Sequence, residues 1–150
     1  MTSAFKDKDK GQKMMQLTQE AMSLLEQEAG LAEIVRLVGS DAISPADRMV
    51  LQTSKSIRED YLHQNAFHEV DTYASMEKQY EMLNNILYFH QKGLDAIQNG
   101  ADTENIFKLT VRNDIAQSKF VPEEQIDKII GIRNTINEQF KAQFTGAQNA

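Results

Sequence analysis

Cysteine and tryptophan are absent from this 150-residue chain, and it holds only seven glycines and two prolines. Without cysteine there are no disulfides and no thiolate metal sites, which is compatible with a reducing compartment. Few glycines and prolines leave little material for the turns that join many short strands. Long apolar runs are missing too: the longest, such as Ile86-Leu87-Tyr88-Phe89, is four residues, whereas a membrane-crossing helix needs about 20. No Gly-Lys pair occurs, since the glycines are followed by Gln12, Leu31, Ser40, Leu94, Ala101, Ile132 and Ala147. A phosphate-binding P-loop needs that pair, so ATP hydrolysis by the chain alone is not expected. Basic residues are outnumbered 16 to 22 by acidic ones and are spread along the chain. A nucleic-acid surface is therefore not expected.

What is present is helical. Glu, Gln, Lys, Met and Leu dominate, and apolar residues recur every three or four positions, which predicts an all-α helical bundle of about five to seven helices, short ones included. Residues 1–11 read as a solvated tail or expression scar, 12–145 as a single helical domain and 146–150 as a frayed end. A first helix is predicted over 12–29 with Met14, Leu17, Ala21, Leu24 and Leu25 on one face, a break or kink at Gly30, and a short helix over 32–38 closed by Gly39. Ser44 and Pro45 start the next helix as cap and first residue, with Asp47 suited to its positive end. It runs to 62 with Met49, Val50, Ile57 and Tyr61 inward and Lys55, Arg58 and Glu59 outward.

From Ser75 to Asn99, Met76, Tyr80, Leu83, Leu87, His90, Leu94 and Ile97 form a seam, and Met82, Ile86 and Phe89 form a second stripe. A helix apolar on two sides belongs at the centre of a bundle. Two short helices are predicted over 103–109 and 111–119. The last, opened by Pro122, has Ile126, Ile129, Ile130, Ile136 and Phe140 on its apolar face.

His63, His68, Glu69 and Asp71 form the one cluster of metal-ligand chemistry, but the spacing is not His-Glu-x-x-His, so no metal is assigned. His90 lies on the apolar seam and reads as a core or boundary histidine. The methionines at 14, 15, 22, 49, 76 and 82 fall at helical spacing and read mostly as core. Phe67, an aromatic ring in a polar stretch, either plugs the bundle end or offers a face to a planar ligand.

Four segments occur in order: Glu33-Ile34-Val35-Arg36-Leu37-Val38-Gly39-Ser40-Asp41-Ala42, Ile57-Arg58-Glu59-Asp60, Gln64-Asn65-Ala66-Phe67 and Glu69-Val70-Asp71-Thr72-Tyr73. Together they resemble the C-terminal region of the catalytic A subunit of prokaryotic V-type (A-type) rotary ATPases, best over 16–120 and faintly in the last helix. The first dozen residues match poorly, and Ala74 stands where many relatives have cysteine.

The resemblance implies a helical domain below the nucleotide-binding domain, facing a rotating central stalk. It implies that Gln64, Asn65, Ala66 and Phe67 edge an adenine pocket. It implies that Asp41, Ala42, Ile43, Ser44, Pro45, Ala46 and Asp47 form the tip that touches the stalk. Only two acids stand in that tip, so coupling is expected to rest on shape and packing above charge. The implied cofactor is ATP or ADP with magnesium in the intact subunit and none in this domain. The implied partners are the rest of the A subunit, adjacent B subunits and the central-stalk coiled coil, with no nucleic acid and no membrane insertion, at the cytoplasmic face of a membrane complex. The alternative is a free-standing helical adaptor that binds another coiled coil.

Overall fold

In the computed structural model, which describes residues 8–62 and 75–145, every regular element is helical and no strand occurs among the described residues. The first helix, α1 (Lys8–Val38), is continuous. Met14, Ala21 and Leu24 are buried on its inner face with Leu17, Leu25 and Leu31 partly covered. The break expected at Gly30 is absent. Gly30 faces solvent with nothing near the position a Cβ would take, and one glycine costs a helix only about 1 kcal/mol. Residues 8–11, expected in the tail, are helical, and Lys10 bridges to Glu77 at 2.8 Å and Glu81 at 3.3 Å.

Gly39 closes α1 as the sequence predicts. Its φ of 97° lies where side chains with a Cβ are strained, and its N–H bonds the Val35 carbonyl at 2.8 Å. A 3-10 turn, Ser40–Ala42, leads to Ser44, whose hydroxyl accepts from the Asp47 N–H at 3.1 Å and caps α2 (Pro45–Ser56). The helical path continues to residue 62 as a wider π turn, Ile57–Leu62. Helix α2 folds back on α1: the Ser54 hydroxyl donates to the Leu24 carbonyl at 3.0 Å, and Arg58 pairs with Glu28.

Helix α3 (Met76–Gln98) is the centre, touching α1, α2 and all three later helices. It runs antiparallel to α2, because the contacts proceed in opposite order: Thr53 meets His90 while Met49 meets Gly93. A Cβ at Gly93 would fall 2.6 Å from the Met49 methyl, so glycine here leaves the room that the end of the Met49 side chain fills.

The chain then crosses through α4 (Thr103–Phe107) and α5 (Val111–Gln117) to α6 (Ile126–Phe140), which ends in a second π turn, Lys141–Thr145. The crossover makes α6 parallel to α3. Glu81 pairs with Arg133, Tyr88 with Asn137 and Phe89 with Phe140, advancing together. Ile129, Ile132, Ile136 and Phe140 face inward, but Ile130, expected there, is 38% exposed. Three or four residues per turn place Ile132, not Ile130, on the buried stripe.

Candidate functional site

The two ends of the bundle carry the residues singled out in the sequence. At one end lies the turn between α1 and α2. Asp41 is fully exposed, and Arg48 reaches both its carboxylate at 3.4 Å and the Ser40 carbonyl at 3.3 Å. Asp47 sits in the first turn of α2 behind the Ser44 cap. Ser44, Pro45 and Ala46 are exposed and Ala42 is as well, whereas Ile43 is buried and roots the turn in the fold. The charge of the two acids is thus partly matched by Arg48, and on the neighbouring turn Arg36 pairs with Glu33, holding that carboxyl below the usual range.

What the sequence reading missed at this end is apolar. Leu37 and Val38 are each 67% exposed and Ile34 is 44% exposed. The signal was in the Ile34-Val35-x-Leu37-Val38 run, which holds more apolar residues than one helix face can hide. Two further methionines expected in the core, Met15 and Met22, also face outward, while Met14, Met49 and Met82 are buried.

At the other end the chain leaves the described residues at Leu62 and returns at Ser75. Gln64, Asn65, Ala66 and Phe67 lie outside the described residues, as do His63, His68, Glu69 and Asp71. The stems on either side are held firmly. Lys119 donates to the Glu59 carbonyl at 3.0 Å and stands 3.9 Å from Asp60. Burial raises the Asp60 carboxyl above its ordinary value, against the opposing pull of Lys119; burial also lowers the Arg112 guanidinium, which Asp60 offsets. On the returning stem the Ser75 N–H and hydroxyl donate to Glu123 at 3.0 and 2.7 Å.

Between the outgoing stem with the end of α2 and α4–α5 lies an open cleft of about 280 Å³, lined by Lys55, Lys108 and Arg112 together with Glu59 and Asp60. Both signs of charge line it. His90 is buried against Thr53, whose hydroxyl is 2.5 Å from Nδ1, and burial pushes the imidazole down to about 4. It is a neutral core histidine at physiological pH, as its place on the seam predicts.

Residues 4–107 match a family described as the C-terminal domain of V and A type ATP synthase. The match starts inside the stretch read as a tail and before residue 16, where the resemblance was expected to begin. Among curated proteins, the V-type ATP synthase alpha chain of Acetivibrio thermocellus is 51% identical over 127 residues, covering 84% of this chain and 22% of that protein. The chain of the same name from Clostridium botulinum is 53% identical over 122 residues, 81% of this chain and 21% of its own length. That of Thermoanaerobacter pseudethanolicus is 50% identical over 131 residues, 87% and 22%. The chain therefore spans about a fifth of the length of the curated relatives it matches.

Proposed function

The chain belongs to the family of C-terminal domains of V and A type ATP synthases, and from that premise we propose that it is the lever of a catalytic A subunit. In this reading it couples ATP hydrolysis or synthesis in upstream domains to rotation of a central stalk. ATP or ADP with magnesium is held upstream, and the domain meets the adenine only through Gln64, Asn65, Ala66 and Phe67, where Phe67 packs on the base. Ion transport belongs to the membrane sector, and this domain works at its cytoplasmic side among the other A-subunit domains and the adjacent B subunits. When the nucleotide binds or leaves, the bundle swings as a body and the turn 41–47 pushes or releases the stalk.

The observation that carries the reading is the composition of that turn and the helix end beside it. A contact that must slide along a turning coiled coil is served by a surface that is firm and apolar, because exposed ion pairs contribute little even at contact distance. Ile43 roots the turn, Arg48 ties Asp41, and Ile34, Leu37 and Val38 stand out from the helix end. A patch of this kind marks a contact surface more often than an idle one.

The test uses the whole rotary complex. Replacing Asp41 and Asp47 together by Ala is expected to change coupling less than about twofold, since exposed ion pairs contribute little. Leu37→Asp with Val38→Asp is expected to cut ATP-driven ion transport about tenfold, because a charge would have to be desolvated at the contact. Loss of coupling in the aspartate variant with none in the leucine and valine variant would sink the packing account.

A further inference from the structure

The inner face of α1 is a seam whose positions alternate four and three apart: Lys10, Met14, Leu17, Ala21 and Leu24. Four of these are apolar and wholly or partly covered, and the first is a lysine. Opposite it stand two carboxylates of α3, one turn apart: Glu77 takes its ammonium at 2.8 Å and Glu81 at 3.3 Å. The same ammonium lies 5.2 Å from the centre of the Tyr80 ring. Glu77 is partly exposed, but the Glu81 side chain is only 4% exposed, and its other oxygen accepts from Arg133 of α6 at 2.6 Å. One buried carboxylate therefore joins three helices that are distant in sequence, in a cluster of two cations and two anions.

From Lys10 onward α1 and α3 run in the same direction. Lys10 is level with Glu77 and Glu81, while Leu24 bonds Ser54, the neighbour of Thr53, which meets His90. Apolar packing specifies the position of α1 along α3 only weakly. Between Asp9 and Glu20, Met14 is the one buried residue and Leu17 is partly covered, and methyl and thioether surfaces attract without direction. A lysine at a seam position acts differently, because a charge there has one set of partners and so fixes the register of the two helices. A slip of one turn, about 5.4 Å, would part the ammonium from one or both carboxylates, and Glu81 lies where water does not replace it. Ser54 to the Leu24 carbonyl and Arg58 to Glu28 tie α1 to α2 and its π turn; Lys10 ties it to α3.

We propose that Lys10, held by Glu77 and Glu81, is a positioning residue that sets the axial register of α1 on α3, and with it how far Ile34, Leu37 and Val38 stand out at the other end. Helix α1 is continuous, so its register at Lys10 is its register at Leu37. The role in coupling rests on the reading of this domain as a lever.

Lys10→Met is the informative variant, since Glu81 keeps Arg133 and Glu77 turns to water, leaving no buried charge unpaired. The chain has no cysteine, so spin labels on Gln16→Cys and Gln98→Cys, both exposed positions on α1 and α3, report one distance. Lys10→Met is expected to add a population displaced by about 4–5 Å, close to the rise of one turn. In the whole rotary complex the same replacement is expected to cut ions transported per ATP about twofold with ATP hydrolysis unchanged, the worth of one partly buried ion pair. Lys10→Arg keeps the charge and is expected to restore both readings. An unmoved distance in Lys10→Met overturns the register role, and so does failure of Lys10→Arg to restore it. A displaced distance with transport per ATP unmoved overturns the role in coupling. Transport unmoved by Leu37→Asp with Val38→Asp removes the lever reading itself, a failure that the distance measurement does not share.

Discussion

Helix α3 is packed on two flanks by different means. Toward α2 the contact is apolar and close: Met49, 1% exposed, lies over Gly93, and Val50, Ile57, Leu83 and Leu87 fill the space around it. Toward α6 the contact is threaded with polar groups. Glu81, buried, pairs with Arg133 at 2.6 Å; Asn85, buried, donates to the Ile129 carbonyl at 2.7 Å; and Tyr88 donates to Asn137 at 2.6 Å. The difference follows from how each partner helix is delivered. Helix α2 lies across a helical hairpin with α1 and reaches α3 over a large apolar face. Helix α6 arrives after a crossover, parallel to α3, and isoleucines alone would fit several sliding positions. Directional bonds from three positions along α3 favour one of them, the role best attested for buried polar groups in helical bundles.

The comparison is broken most forcefully on the apolar flank. Met49→Ala is expected to lower unfolding free energy by about 3–4 kcal/mol in urea titrations, the transfer loss plus the cavity left beside Gly93. A loss below about 1 kcal/mol would mean that α2 and α3 collapse onto one another and are not rigidly spaced. Next in size is His90 on this flank. The His90 pKa is near 4 in the fold against 6.5 for the free side chain, so between those values the unfolded chain binds more protons and stability falls as pH falls. The term is fully present above about pH 6.5, is lost progressively toward pH 4, and amounts to on the order of 3 kcal/mol at most. Comparing urea midpoints at pH 7 and pH 5 for the parent and His90→Leu checks it: the variant should show the shallower decline.

The smallest effect belongs to the polar flank and is the most diagnostic. Asn85 spends one donor on Ile129, but its Oδ1 has no partner among the described residues. Asn85→Leu is therefore expected to alter stability by less than about 1 kcal/mol, because removing an unsatisfied buried acceptor offsets the lost bond. What should change is uniqueness: broadened amide resonances along α6 with stability kept would show that the bond selects a position. Sharp, unchanged spectra would refute that role.

Much of the bundle was legible in the residues because local chemistry decided it. Ser44-Pro45 and Ser75 start helices by satisfying orphan N–H groups, Gly39 stops one through its φ, and the two stripes on the third long helix mark it as central. What was not legible depended on partners far along the chain. Gly30 looks like a break to anyone counting propensities, yet nothing nearby asks the chain to turn there. Lys78, Glu81 and Asn85 interrupt a seam and look like solvated positions until α6 and residue 119 are brought against them. Lys10 looks like part of a tail until Glu77 and Glu81 stand beside it; Glu77, foremost, and then Glu81 hold its ammonium above the ordinary value against burial. At the candidate site, the motif gave the place of Asp41 and Asp47 but not the exposure of Leu37 and Val38, because exposure is set by where the neighbouring helices end.

The unbroken run of α1 through Gly30 has a geometrical consequence. From Lys10 to Val38 the helix extends over roughly 40 Å of contour at the standard rise per residue. A hinge in the middle would have let the far half lag behind. Without one, a tilt of about a tenth of a radian near Lys10 would displace the far end by roughly 4 Å, less than the rise of one helical turn. In the proposed lever, a tilt of α1 would therefore move Leu37 and Val38 much further than it moves Lys10.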